Sequence, residues 1–333
     1  MPAAGATIAV LGDGGWGTTL ALHLHRQGHR VGWWGAFPDY VRILRRRREN
    51  PRFLPGVRLP VGLPVTADLA AATAGARVIV LAVPSQYVRG VCRRLVGALR
   101  GRPVVVSAAK GLERGTQKRM SQVIREELGP VPLAALSGPN IAAEIARGHP
   151  ASSVIASADY RLAGRLQRLL MSDRLRIYTS PDIAGVELGG ALKNPIAIAA
   201  GIGDGLGFGS NAKAALITRG VVEMARLGGA LGGWWQTFWG LSGLGDLVTT
   251  CLSGRNRWLG EQIGRGRPAG RIIRASAMVF EGVETAHAAA TLARRHRVEA
   301  PIIEQVEAIL FRGRSPAAAL KSLMGRAGKA ETA

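Results

Sequence analysis

Thr7-Ile8-Ala9-Val10-Leu11-Gly12-Asp13-Gly14-Gly15-Trp16-Gly17 runs from an apolar strand pattern into a Gly-x-Gly-x-x-Gly spacing, and helical periodicity follows over 18–26. That order predicts a dinucleotide-binding turn. Gly12 lets the chain leave the strand sharply, Gly14 lets backbone approach a pyrophosphate, and Gly17 lets the helix lie close to the sheet. The helix N-terminus then faces the phosphates. A second apolar strand at 30–34 completes the first βαβ unit, which separates the motif from a chance triplet in a chain with 45 glycines.

Working outward, strand patterns recur at 78–83, 104–108, 133–136, 153–157 and 176–178, and their near-continuous apolar character fits burial on both faces of a parallel sheet. Helical periodicity fills the intervals at 88–99, 117–128, 142–147 and 160–171, with Thr116 as the expected N-cap of the second of these. Beyond residue 182 strand signals stop. Ala-, Leu- and Gly-rich stretches at 183–202, 211–227, 257–264, 284–295, 302–310 and 314–325 keep helical spacing. The expected fold is an α/β Rossmann-type doubly wound N-terminal domain over 1–182, followed by an all-α C-terminal domain over 183–333. Ligands of open α/β sheets bind outside the carboxyl ends of the strands, so the site is expected between the two domains.

Composition bounds the function classes. The 333 residues are 47% hydrophobic, enough for two cores, and no signal peptide or uncharged apolar run of membrane-spanning length is evident. A cytoplasmic protein without membrane insertion is expected. Cys92 and Cys251 lack metal-ligand spacing and read as core thiols, so neither a metal site nor a disulfide is predicted. The net charge of +22 is mostly arginine spread along the chain, with one cluster at Arg45-Arg46-Arg47-Arg48. No nucleic-acid module accompanies it, so small anionic ligands are the expected partners and nucleic acid is not.

Three later segments carry chemistry. Lys110, in Ser107-Ala108-Ala109-Lys110-Gly111-Leu112-Glu113, stands just past a predicted strand end, and only six of the 44 basic residues are lysines. It is expected to contact ligand. Ser137-Gly138-Pro139-Asn140 follows the next strand and leads into a helix, where Asn140 serves either as a cap or as a ligand contact. Lys193, in an otherwise apolar helix at the domain junction, is costly to bury unless used; desolvation and a second cation such as Lys110 would poise it for proton exchange. Asp246 could orient that ammonium, and Arg255 beside Asn256 offers the forked donors suited to phosphate, or is simply a surface arginine.

These motifs together resemble the bacterial-type NAD(P)-dependent sn-glycerol-3-phosphate dehydrogenases, through Gly12 to Gly17, Leu81 to Ser85, Lys110 to Glu113, Ser137 to Pro139, Leu188 to Asn194, Asp204 to Gly220, Gly243 to Leu247, Arg255-Asn256 and Val279 to Gly282. The resemblance implies reversible reduction of dihydroxyacetone phosphate to sn-glycerol 3-phosphate for glycerophospholipid synthesis. It implies Lys193 as proton donor and acceptor, Lys110 in contact with cofactor and substrate, and Gly138, Asp246, Arg255 and Asn256 as substrate contacts. Gly15, Trp16, Ala142, Val279 and Glu281 match cofactor-contacting positions, and Arg255 lies near both ligands. Asn140 and Gly254 stand on the substrate side where the family usually carries Ser or Thr and a serine.

Other departures concern the cofactor. Trp34 is followed by Gly35, Ala36 and Phe37, so neither an acidic ribose ligand nor the family's basic residues follow the second strand. NAD and NADP both stay open, with Arg42 or the 45–48 cluster as candidate 2′-phosphate partners. Asp13 is uncomfortable beside a pyrophosphate unless it points away. Asn140, Gly254 and a shortened loop leave an alternative: a paralogous reductase of another small phosphorylated or acidic ketone. A basic nucleic-acid-binding protein is the remote alternative, and a homodimer is a candidate assembly that the sequence does not fix.

Overall fold

Alternate residues of the first strand enter two different cores. Ile8 and Val10 pack into one apolar cluster and Ala9 and Leu11 into another on the opposite face, as the two-residue period of a strand requires. The same split recurs at Val78 and Val80 against Ile79 and Leu81. Both faces of the sheet are therefore covered. The computed structural model describes residues 5–99, 101–276, 278–328 and 330–331.

In chain order the strands are β1 (Thr7–Leu11), β2 (Arg30–Trp34), β3 (Glu49–Asn50), β4 (Leu54–Arg58), β5 (Val65–Thr66), β6 (Val78–Leu81), β7 (Val104–Ser107), β8 (Leu133–Ser137), β9 (Ala151–Ala156) and β10 (Leu175–Ser180). Eight form one sheet in the order β10-β9-β8-β7-β6-β1-β2-β5, and β3 with β4 forms a separate hairpin. Strand order reverses between β1 and β6. That reversal opens the crevice where doubly wound sheets take ligands. The helices interleaved with the strands are α1 (Gly15–Arg26), α2 (Pro38–Arg47), α3 (Leu69–Thr73), α4 (Val88–Val96), α5 (Met120–Leu128), α6 (Ala142–Ala146) and α7 (Tyr160–Leu170).

After β10 the described chain has no further strand: α8 (Ile183–Gly205), α9 (Ser210–Ala230), α10 (Asp246–Leu252), α11 (Arg255–Gly264), α12 (Ala269–Ala275), α13 (Glu281–His296), α14 (Pro301–Phe311) and α15 (Pro316–Met324) make the helical half. α8 is its axis, buried along almost its whole length and packed by α9, α10, α11 and α13. A helix apolar on all sides is stable only when so surrounded. Pro195 sits inside α8 and cannot donate to the carbonyl one turn back, which loosens the ladder next to Lys193 and Asn194.

Several expectations need correction. The sheet is parallel except between β8 and β9, which pair antiparallel, because the 138–150 connection returns the chain alongside β8 through only the short α6. Thr116 does not cap α5: Gln117 has a positive φ of 56°, the helix starts at Met120, and Thr116 donates instead to the Glu113 carboxylate 2.5 Å away. Trp234, Trp235 and Trp239 are 42–55% exposed. Cys92 and Cys251 are buried free thiols, and burial pushes both up to about 12.

Candidate active site

The loop leaving β1 is held by its own backbone demands. Gly12 has φ +128°, and a Cβ there would lie 2.5 Å from the Ala82 carbonyl oxygen at the end of β6. Glycine is the residue that fits. At Gly14, the N-cap of α1, a Cβ would meet nothing within 4 Å, so the backbone there is open to a ligand, while Trp33 Nε1 donates to Gly12 O at 3.0 Å and fixes the loop from behind. Trp16 Nε1 is buried with no hydrogen-bond partner, a donor directed at nothing in the protein. Gly15 lies against Ala142 of α6, whose Cβ would be 3.6 Å from one built on the glycine.

Lys110 extends from the segment after β7 across the sheet end, donating to Gly138 O and to Asp246 Oδ2, each at 2.7 Å. Its stem passes Gly190 of α8, where a Cβ would stand 3.5 Å from Lys110 Cγ and 2.6 Å from Ser137 Oγ. The absence of a side chain at 190 leaves room for the Ser137 hydroxyl, while the lysine stem would only touch a Cβ at ordinary contact distance. Lys193, one turn further along α8, donates to Asp246 Oδ1 and, at 2.7 Å, to Thr250 Oγ1. Asp246 opens α10, so Thr250 four residues on shares its face, and Thr250 Oγ1 in turn donates to Asp246 O at 2.6 Å. One carboxylate thus lies between two ammonium groups.

Burial sets the electrostatics. Lys193 is 5% and Asp246 2% exposed. Desolvation pulls the Lys193 pKa down to about 8, with Asp246 holding it up and Lys110 pressing it further down. A lysine so placed exchanges a proton near neutral pH.

Around this pair lies a third layer. Asn256 Nδ2 donates to Asn194 Oδ1 at 2.9 Å and Asn256 Oδ1 accepts from Gly282 N at 3.2 Å, so its side chain ties α11 to α8 and α13. Gly254, with φ +111°, precedes α11 as its N-cap, leaving first-turn N–H groups beside the exposed Arg255. Glu281 attracts the Arg255 charge. Glu281 at the start of α13 accepts from Ser85 N at 3.1 Å and Ser85 Oγ at 2.5 Å, and burial raises its pKa against those donors. Val279 is 37% exposed in the loop just before α13. Asn140 caps no helix: Ile141 is the N-cap of α6, and Asn140 Nδ2 donates to Ser153 Oγ at 2.6 Å while Oδ1 lacks a partner.

Of the residues singled out from sequence, Lys110, Gly138, Lys193 and Asp246 meet directly, and Asn256 joins through α8. Thr250 was missed, and Ser85 closed the Leu81–Ser85 motif without a role of its own. Thr250 carried a usable signal, its spacing of four from Asp246 on one helix; Ser85 had only its place after β6. Among the described residues, no group of three or more His, Cys, Asp or Glu gathers to hold a metal.

Comparison with known proteins decides the family. The model of the NAD-dependent glycerol-3-phosphate dehydrogenase N-terminus matches residues 7–163, and that of the C-terminus matches 182–321. The chain belongs to this family. A relative from Moorella thermoacetica, a glycerol-3-phosphate dehydrogenase [NAD(P)+], is 49% identical over 322 residues, covering 96% of each chain. One from Desulfitobacterium hafniense under the same name is 45% identical over 98% of this chain and 93% of its own. Among solved structures, the glycerol-3-phosphate dehydrogenase from Coxiella burnetii superposes with a TM-score of 0.92 at 39% identity, covering 96% of this chain and 99% of that one. As a family member this chain is a nicotinamide-dependent oxidoreductase acting on a hydroxyl group.

The residues present fit a nicotinamide dinucleotide. Gly14 leaves backbone open, Gly12 could carry no side chain, and Trp16 Nε1 waits for an acceptor.

Proposed function

We infer that the protein interconverts dihydroxyacetone phosphate and sn-glycerol 3-phosphate with NAD(H) or NADP(H), in a division of labour between residues 1–182, which bind nucleotide, and 183–333, which bind substrate. The observation carrying this reading is Lys193, buried at the junction of the two halves, bonded to Asp246 and tuned to about 8. When bound, the nicotinamide ring supplies or accepts the hydride at the carbonyl carbon.

Everything else falls to the side chains of this chain. With its pKa near 8, Lys193 gives a proton to the ketone oxygen and takes the hydroxyl proton back in the reverse direction. Asp246 holds the ammonium in line and Thr250 takes a second of its three protons, which leaves one free to face substrate. Lys110, tied to Gly138 O, lies beside the same oxygen and adds positive charge where negative charge develops. Arg255, with the first-turn N–H groups of α11 behind Gly254, seats the phosphate. Glu281, Val279, Ala142 and the Gly12–Gly17 loop line the nucleotide side.

A cytoplasmic location, product flow into glycerophospholipid assembly and a homodimer complete the reading; no helix among the described residues is long and apolar enough to cross a membrane. Loss of NADH and NADPH absorbance on adding dihydroxyacetone phosphate to purified protein tests it. Oxidation with another phosphorylated or acidic ketone, and none with dihydroxyacetone phosphate, would overturn it.

A further inference from the structure

The carboxylate of Asp13 has an unusual position. A Cβ built on Gly35 would lie 2.7 Å from Asp13 Oδ2 and 2.8 Å from Val41 Cγ2, so the carboxylate occupies the space that a side chain just past β2 would fill. It points toward the end of β2. Asp13 is 9% exposed, and its Oδ2 has no hydrogen-bond donor in the protein. A buried carboxylate oxygen without a donor is costly unless a ligand supplies one.

Its placement is enforced rather than incidental. Asn50, fully buried, donates from Nδ2 to Asp13 O at 2.8 Å and to Thr18 Oγ1 at 2.7 Å, and its Oδ1 accepts from the Tyr40 hydroxyl at 2.6 Å. Gly35 N donates to Thr66 O at 3.0 Å, which pins the other wall. In doubly wound dinucleotide folds the end of the second strand is where an acidic side chain accepts from the adenosine ribose. Here Gly35, Ala36 and Phe37 offer none.

We propose that Asp13 takes over that task from within the glycine loop, accepting a hydrogen bond from the ribose 2′-hydroxyl and selecting NAD over NADP by repelling a 2′-phosphate. The inference rests on the proposed function only for the binding of a nicotinamide dinucleotide; the substrate does not enter. Three of the cations suggested from sequence as 2′-phosphate partners, Arg42, Arg45 and Arg48, already hold contacts within the protein, Arg48 with the Pro60 carbonyl. Arg42 pairs with Asp39 at 2.5 Å, and Arg45 Nε donates to Val65 O at 2.7 Å. Arg52 is the cation whose charge acts on Asp13, and its guanidinium lies over the Phe53 ring at 5.0 Å. Burial raises the Asp13 pKa, and a hydroxyl donor would offset that cost.

The test is calorimetric titration of the full chain with ADP-ribose and with 2′-phospho-ADP-ribose, without substrate or turnover. The wild type is expected to favour ADP-ribose by on the order of tenfold or more. Asp13→Ser should weaken ADP-ribose and strengthen the phosphorylated probe, moving the ratio by about tenfold, and Asp13→Asn should strengthen the phosphorylated probe while largely keeping ADP-ribose. Gly35→Ala, which crowds the carboxylate without changing it, should weaken ADP-ribose and serves if the loop variants fail to fold. An unchanged ratio in these variants, or a wild-type preference for the phosphorylated probe that Arg52→Ala abolishes, overturns the assignment to Asp13. Binding of neither probe would overturn the dinucleotide reading itself. A shifted ratio supports Asp13 even if dihydroxyacetone phosphate is not turned over, in which case only the substrate is wrong.

Discussion

Two buried carboxylates, Glu187 on α8 and Asp246 on α10, do different work. Glu187 accepts from Ser121 N at 2.7 Å, Ser121 Oγ at 2.5 Å and Arg119 Nη1 at 2.8 Å, so its charge is matched by one cation and its oxygens are satisfied by the N-terminal end of α5. Asp246 faces two cations, Lys110 and Lys193, and leaves a surplus of positive charge at the mouth of the sheet. A closed set of partners joins two elements firmly. An over-supplied anion leaves protons and charge for a ligand, and this marks Asp246 as part of a site and Glu187 as a strut.

Lys193→Ala should break the comparison at its most sensitive point. We expect turnover to fall by about 10²–10⁴ with the fold kept, since Asp246 retains Lys110 as its partner. Steady-state rates beside a urea unfolding curve check this, and near wild-type turnover would remove Lys193 from proton transfer. Glu187→Ala should do the reverse. Breaking its pair leaves Arg119 uncompensated, but the Arg119 side chain is 19% exposed and partly hydrated, so a loss of about 2–3 kcal/mol is expected, at or below the low end for buried pairs. If that variant lost turnover and kept its urea midpoint, Glu187 would belong to the site and the contrast would fail.

The same contrast explains what could be read before the structure. The β1 turn was legible because a tight turn, an open backbone and a close helix each demand glycine at a fixed spacing. Lys193 was legible because a lysine in an apolar helix is an anomaly that needs a cause. The β3–β4 hairpin, β5, α2 and α3 were not legible: α2 turns only Val41 and Leu44 inward from a run of arginines, and β3 and β5 are two residues each. α10 is hidden behind the glycines of 240–245, which mask a helix that starts on Asp246. The bond between Asn256 and Asn194 spans 62 residues and leaves no local mark. Asp13 was recognised as out of place beside a pyrophosphate, but its direction depends on Asn50 and Gly35, which the sequence alone does not bring together.

The pH dependence sharpens the comparison further, because Lys193 sits where its charge can change. The Lys193 pKa is lowered to about 8, so the group is an acid below that pH and a base above it. Ketone reduction requires the ammonium, and its kcat/KM should fall by about tenfold per pH unit above the break. Alcohol oxidation requires the free amine and should rise through the same range to a plateau. Initial rates measured in both directions across the break check the sign, and profiles flat in both directions would exclude Lys193 as the titrating group.

Thr250→Val probes the smallest element of the contrast, the hydroxyl that adds a second acceptor to the Lys193 ammonium. Because that oxygen stabilises the charged form, its loss should move the break in the pH profile below its wild-type position and lower kcat by about three- to tenfold, with KM nearly unchanged. Valine keeps the shape, and α10 loses only a side-chain bond to its own backbone, so the fold should survive. A merely structural threonine would lower the urea midpoint and leave the break in place. A break that moves while the midpoint holds would show that Thr250 acts on the proton held by Lys193, as a surplus of charge around Asp246 requires and a closed pair like that of Glu187 does not.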